Sequence, residues 1–152
     1  MNVRLMRWLF NLYPPYVGAG IHVTHIADDW RRVRVEMPLR WYNRNYVGTH
    51  FGGSLSAMAD PFLMIMVMKN LGPGYMVWDR SAQIEFVAPG RGRVAVDFTL
   101  SQADLDRMRD ATSTGEKYEP WFDLEVREVD GALVARVRKQ LYIRRARKNG
   151  PA

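Results

Sequence analysis

Apolar and polar residues alternate with period two along much of the chain, the pattern of strands that bury one face. Val33, Val35 and Met37 alternate with Arg32, Arg34 and Glu36, while Ala82, Ile84 and Phe86 alternate with Gln83 and Glu85. Val94, Val96, Phe98 and Leu100 form another apolar row, followed by Phe122, Leu124 and Val126 and then by Leu133, Ala135, Val137, Leu141 and Ile143. With a strand near Ile21 to Ala27 this predicts about six strands, and Asp130-Gly131 between the last two rows predicts a tight hairpin turn. Connections this short join antiparallel neighbours.

Three segments carry helical patterning instead. Residues 2–12 read as a short amphipathic helix ending at Pro14-Pro15, an N-terminal unit over 1–15. Ser101 followed by Asp104 caps a polar helix that runs to about Ala111. The stretch from Gly52 to Leu71 is apolar on all sides, stops at Gly72-Pro73-Gly74, and predicts one central helix over 52–71 that other structure must cover. The expected class is therefore α+β, a curved antiparallel sheet wrapped around a central apolar helix. One sheet covers only part of such a helix and leaves edge strands open, so a homodimer is expected, or a dimer of dimers.

Composition narrows the picture. A chain of 152 residues is the size of one domain, here read as 1–145 with a basic tail over 146–152. No cysteine is present, which removes disulfides, thiol catalysis and thiolate metal sites. No run of about 18 apolar residues exists to span a membrane, and Trp8 to Leu12, broken by Asn11, is too short for a signal core, so a cytoplasmic location is expected. The net charge of +6 is concentrated at the end: residues 138–152 hold Arg138, Lys139, Arg144, Arg145, Arg147, Lys148 and no acid, leaving 16 charges of each sign elsewhere. Such a cluster can touch nucleic acid or a phosphorylated ligand, but with Tyr142 as its one aromatic residue it reads more simply as a solvated terminus.

The candidate chemistry lies in Asn43-Arg44-Asn45-Tyr46-Val47-Gly48-Thr49-His50-Phe51-Gly52-Gly53, which leads into the central helix with Asp60 inside it. Paired glycines at a helix start leave backbone N–H groups open to close approach by a carbonyl oxygen. A carboxylate in an apolar helix is costly unless paired or used, so Asp60 is either a general base or, with Pro61 after it, the cap of a second helix. His22 and His25, three apart on a strand, face opposite sides and make no metal pair. Ser54 and Ser56 lack the setting of a serine nucleophile.

This segment resembles the hotdog-fold thioesterases of the phenylacetic-acid-degradation type, with their Asn, Gly-x-x-His-Gly-Gly and Asp pattern, and a related uncharacterised thioesterase-like domain family. Ile84-Glu85-Phe86-Val87-Ala88-Pro89-Gly90 is similar to the strand end of those proteins, and the likeness covers residues 43–101. Phe51 departs from the pattern as one extra residue between His50 and the glycines. The resemblance implies an acyl-CoA thioesterase acting on a fatty or aromatic acyl group held on coenzyme A or a carrier protein, without metal or other cofactor. It implies Asp60, Gly53 and Asn45 as catalytic residues and Gly52, His50 and Asp79 as substrate-binding ones, Asp79 reaching the site of the opposite subunit. A non-hydrolytic acyl-thioester-binding or dehydratase-like protein, and a nucleic-acid-binding module using the tail, are the alternatives.

Overall fold

The computed structural model describes residues 2–146. Its first helix, α1 (Val3–Asn11), is capped by Asn2, whose side chain accepts from the Arg4 amide. Pro14-Pro15 then begins a new helix, α2 (Pro14–Ala19), and so does more than stop the first. Proline is favoured in a first helical turn because its missing N–H has no partner there anyway. The helix expected over 2–12 is α1, and α2 is a further helix that extends past the N-terminal unit drawn at 1–15.

Strands β1 (His22–Ile26) and β2 (Arg32–Met37) form a hairpin with a bulge between Val23 and His25. The bulge places His22 opposite Glu36 and His25 opposite Arg34, so both histidines lie on the outer face, not on opposite sides as simple alternation predicts. After the loop 38–51 come α3 (Gly52–Met58) and α4 (Phe62–Leu71). The single helix expected over 52–71 is broken at Ala59-Asp60-Pro61, because proline cannot donate to the preceding turn and its ring crowds it. Strand β3 (Tyr75–Phe86) follows, then β4 (Val94–Thr99) and α5 (Gln102–Ala111), which starts at the Ser101–Asp104 capping box. The loop after it contains the two-residue β5 (Lys117–Tyr118), and the hairpin of β6 (Trp121–Glu128) and β7 (Leu133–Arg145) turns at Asp130-Gly131 with Gly131 at φ 105°.

These strands make one seven-stranded antiparallel sheet in the order β1-β2-β4-β6-β7-β3, with β5 beside the end of β7. Its inner face holds Val33, Val35, Val96, Phe98, Val126, Leu141 and Ile143 against Met58, Phe62, Leu63 and Met66 of the broken helix, all buried. The outer face is a ladder of cross-strand ion pairs, among them Arg34 with Asp97 and Arg138 with Asp123. The two sheet edges differ. Helix α1 lies along β1, where the Asn11 side chain bonds the Val23 N–H and C=O at 2.7 and 3.2 Å. Twelve-residue β3 pairs only with β7 among the described residues, so its other side is open.

Strand β7 also alters the reading of the basic cluster. Arg138 and Arg144 belong to the sheet, the first paired with Asp123 and the second donating to the Gly115 carbonyl. Lys139 points into the core at 1% exposure. The rest of the expected tail, residues 147–152, lies outside the described residues.

Candidate active site

Loop 38–51 is built around its asparagines. Asn43 is buried, accepts from the Arg40 amide, and donates to the Ala19 and Pro38 carbonyls at 2.9 Å each. Asn45 anchors the turn 45–48: its Oδ1 accepts from the Val47 and Thr49 amides, and its Nδ2 donates to Thr49 Oγ1 and the His50 carbonyl. Both amide hydrogens of Asn45 are thereby engaged within the loop.

His50 is buried, with Nε2 2.8 Å from the Gly92 carbonyl, an acceptor that requires the ring to carry its proton there. Its Nδ1 has no hydrogen-bond partner among the described residues. Burial holds the imidazole pKa below its ordinary value, although the Gly92 carbonyl and the charge of Glu128 oppose the shift. The neutral ring is therefore favoured in the folded protein. Below the unfolded value of about 6.5 the unfolded chain binds the proton that the folded chain resists, so stability falls as pH drops through that range. The melting temperature should decrease between pH 7.5 and 5.5 by less in His50→Gln than in the parent; thermal unfolding with equal pH slopes for both proteins excludes this linkage.

Helix α3 begins directly after this loop. The Ser54 amide donates to the Phe51 carbonyl, whereas the Gly52 and Gly53 amides meet no acceptor among the described residues. A Cβ on Gly52 would lie 2.8 Å from the Phe86 ring, and one on Gly53 would lie 2.4 Å from the Phe51 ring. With glycine at both positions the two aromatic rings close over the helix start, and a side chain at either one would push its ring aside. A cavity of about 420 Å³ opens here, lined by Asn45, His50, Gly52, Phe86 and Pro89 among others.

Asp60 lies at the α3–α4 joint, in a second cavity of about 130 Å³ shared with Ser56, Ile84 and Lys139. Its side chain makes no cap bond to α4, whose N-cap position is Pro61. Instead Lys139 Nζ donates to Asp60 Oδ1 at 2.8 Å and to the Asp60 carbonyl at 2.9 Å. The Asp60 side chain is otherwise 64% exposed. Asp79, expected to serve a neighbouring subunit's site, stands on the other side of the ammonium, 3.0 Å from Nζ but outside hydrogen-bond geometry. Burial raises the Asp79 carboxyl pKa, Lys139 opposes that, and the charge of Asp60 adds to it. The Tyr16 phenol, buried in α2 without a partner among the described residues, is pushed up by burial and then by Asp60.

Asp60 and Asp79 thus meet around Lys139, one of the residues of the terminal basic cluster, while Gly52, Asn45 and His50 line the larger cavity and Gly53 follows Gly52 at the start of α3. Asp60 is seven positions beyond Gly53, a rise of about 10 Å at helical spacing. Within one chain the two groups occupy different cavities. Among the described residues no group of three or more metal-ligating side chains occurs, and no helix is long and apolar enough to cross a membrane.

A family model described as a domain of unknown function, DUF4442, matches residues 2–143. The chain belongs to that family. No curated protein matches the DUF4442 chain. Among solved structures, a Pseudomonas aeruginosa protein, PA5026, described as a probable thioesterase, superposes with TM-score 0.82 at 18% identity, over 95% of this chain and 97% of that one. The Haemophilus influenzae thioesterase HI1161 superposes with TM-score 0.70 at 14% identity over 99% and 96% of the two chains. A variant of the phenylacetic acid degradation protein PaaI from Thermus thermophilus gives TM-score 0.58 at 23% identity over 85% and 97%. The DUF4442 chain has the hotdog fold of these proteins: a curved antiparallel sheet around a central helix.

Proposed function

We propose that this protein is a thioesterase that hydrolyses the coenzyme A thioester of a fatty or aromatic acid, and that it works as a homodimer. The observation that carries the reading is Asp60: a solvent-reaching carboxylate at a helix break, held in place by a buried lysine, in a fold shared with thioesterases. In this reading the thioester carbonyl oxygen accepts from the Gly52 and Gly53 amides. Asp60 takes a proton from water as the water oxygen bonds to the carbonyl carbon. The tetrahedral intermediate expels the thiolate, which receives that proton from Asp60. A thiol of pKa about 8.5 leaves without strong acid assistance, so one carboxylate suffices.

Because Gly52 and Asp60 of one chain line different cavities, the reading needs the partner's Asp60. The open β3 edge supports such a pairing: Phe86 is 56% exposed beside it, Trp78 45%, and Phe51 55%, apolar surface that a second copy would cover. Asp60's cavity is lined by Ala82 to Ile84 and Gly52's by Phe86 to Gly90, so antiparallel pairing about a two-fold axis near Glu85 and Phe86 sets each cavity beside the other kind.

A hydrolysis screen over acyl-CoAs of graded chain length and over aryl-CoAs tests the reading. Release of free thiol from at least one series is expected, and failure of every thioester to turn over, with or without binding, overturns hydrolysis. Gly53→Val should lower kcat about tenfold or more, since its branched side chain shields the amide that the oxyanion needs. The exposed Phe51 ring can swing away, so the fold should survive. A folded Gly53→Val protein of unchanged kcat removes the oxyanion role.

A further inference from the structure

We propose that Lys139 is the positioning residue of this site: from the last strand it clamps Asp60 by two atoms, Oδ1 and the main-chain carbonyl, and so aims the free carboxylate oxygen. The proposal rests on the reading of Asp60 as the base and names the residue through which the rest of the domain controls it. Lys139 occupies an inward position on β7, in register opposite Ala82 and between Val137 and Leu141. An apolar residue would fill that place at less cost, because a buried ammonium loses its hydration and recovers it only through well-placed partners.

The partners are placed for more than neutralisation. A charge partner alone needs only the carboxylate. Lys139 donates to the carboxylate and to the backbone of the same residue, at 2.8 and 2.9 Å, at the point where Pro61 breaks the helix. The two bonds restrain the Asp60 backbone and its side-chain rotamer together. Oδ2 receives no hydrogen bond among the described residues and is left for water. Asp79, 3.0 Å from the same ammonium on β3, balances the buried charge from the opposite side. It sits just before the register shift between Asp79 and Ser81, which lets Tyr75, Val77 and Asp79 share a face with Ala82, Ile84 and Phe86. With Nζ donating to two atoms of Asp60 and lying beside Asp79, the lysine serves as a clamp.

The test compares steady-state kinetics of the full-length parent with Lys139→Met, Lys139→Arg and the double variant Lys139→Met/Asp79→Asn, each checked for folding by circular dichroism and thermal unfolding. The double variant removes both buried charges, so it remains informative if the single change leaves Asp79 unbalanced and the protein does not fold. Loss of the clamp should lower kcat about 10- to 100-fold with KM within about threefold, the signature of a misplaced catalytic group. Lys139→Arg, which keeps a donor at the site, should recover part of that loss. A folded double variant with parental kcat overturns the proposal, as does a loss confined to KM or a Lys139→Arg protein no better than Lys139→Met. Asp60→Asn run beside them separates the two levels: parental turnover there overturns the base itself, whereas an inactive Asp60→Asn beside a fully active Lys139→Met/Asp79→Asn overturns only the clamp.

Discussion

Asp60→Asn should slow thioester hydrolysis by a factor of about 10² or more while leaving thermal stability nearly unchanged, since loss of a general base forfeits that much rate. The structure separates this outcome from the competing reading of Asp60 as a helix cap. A capping aspartate would bond the α4 amides, but the N-cap position is Pro61, and the Asp60 side chain turns to Lys139. An asparagine oxygen can accept from the same ammonium, so the geometry persists without the charge. Asp60→Ala loses that bond, and its expected cost of about 1–2 kcal/mol comes from a buried ammonium short of one partner, not from an uncapped helix. Hydrolysis and thermal unfolding of both variants decide the matter. Parental turnover in Asp60→Asn removes the catalytic assignment.

Most of the sheet was legible because its inner rows alternate without interruption, as Val33-Val35-Met37 and Val94-Val96-Phe98 show. Where the pairing shifts register, the alternation broke and the sequence reading stopped short. The first half of β3 is the clearest case: Tyr75, Val77 and Asp79 face inward at odd positions, Ala82, Ile84 and Phe86 at even ones, and the shift between Asp79 and Ser81 reconciles them. Thr24 does the same between His22 and His25. Three prolines also carry more information than a stop signal, since Pro14-Pro15 begins α2 and Pro61 divides the central helix. β5 has two residues and no period to detect.

At the site, the residues adjacent in sequence were legible and their long-range partners were not. The glycine pair and Asp60 follow from what each costs inside an apolar helix. The partner of His50, the carbonyl of Gly92, lies 42 residues away, and no local pattern announces it. Lys139 carries a signal of its own in the sequence. It falls in phase with Ala135, Val137, Leu141 and Ile143, so it is a charged residue in an inward row, yet its basic neighbours Arg138, Arg144 and Arg145 drew it into a run of surface charge. A charge that interrupts an apolar period points to a partner across the core more strongly than its membership in a cluster points to a surface.

Mixing two inactive variants should restore activity if the site is shared between subunits. In a homodimer of Asp60→Asn, both sites lack the base, and in a homodimer of Gly53→Val, both have a blocked amide. A heterodimer places both lesions in one site and leaves the other intact. Random reassortment gives half heterodimers with one good site of two, so an equimolar mixture denatured and refolded together should recover about one quarter of parental activity. A site completed within one chain predicts no recovery beyond the residual rates, because every chain then carries its own lesion. The geometry favours recovery: Gly52, beside Gly53 at the start of α3, and Asp60, two residues past its end, line different cavities, and β3 contributes residues to both. Sedimentation supplies the independent check. A parent that sediments as a stable 17.6 kDa monomer at micromolar concentration, or a refolded mixture no more active than its components, refutes the shared site.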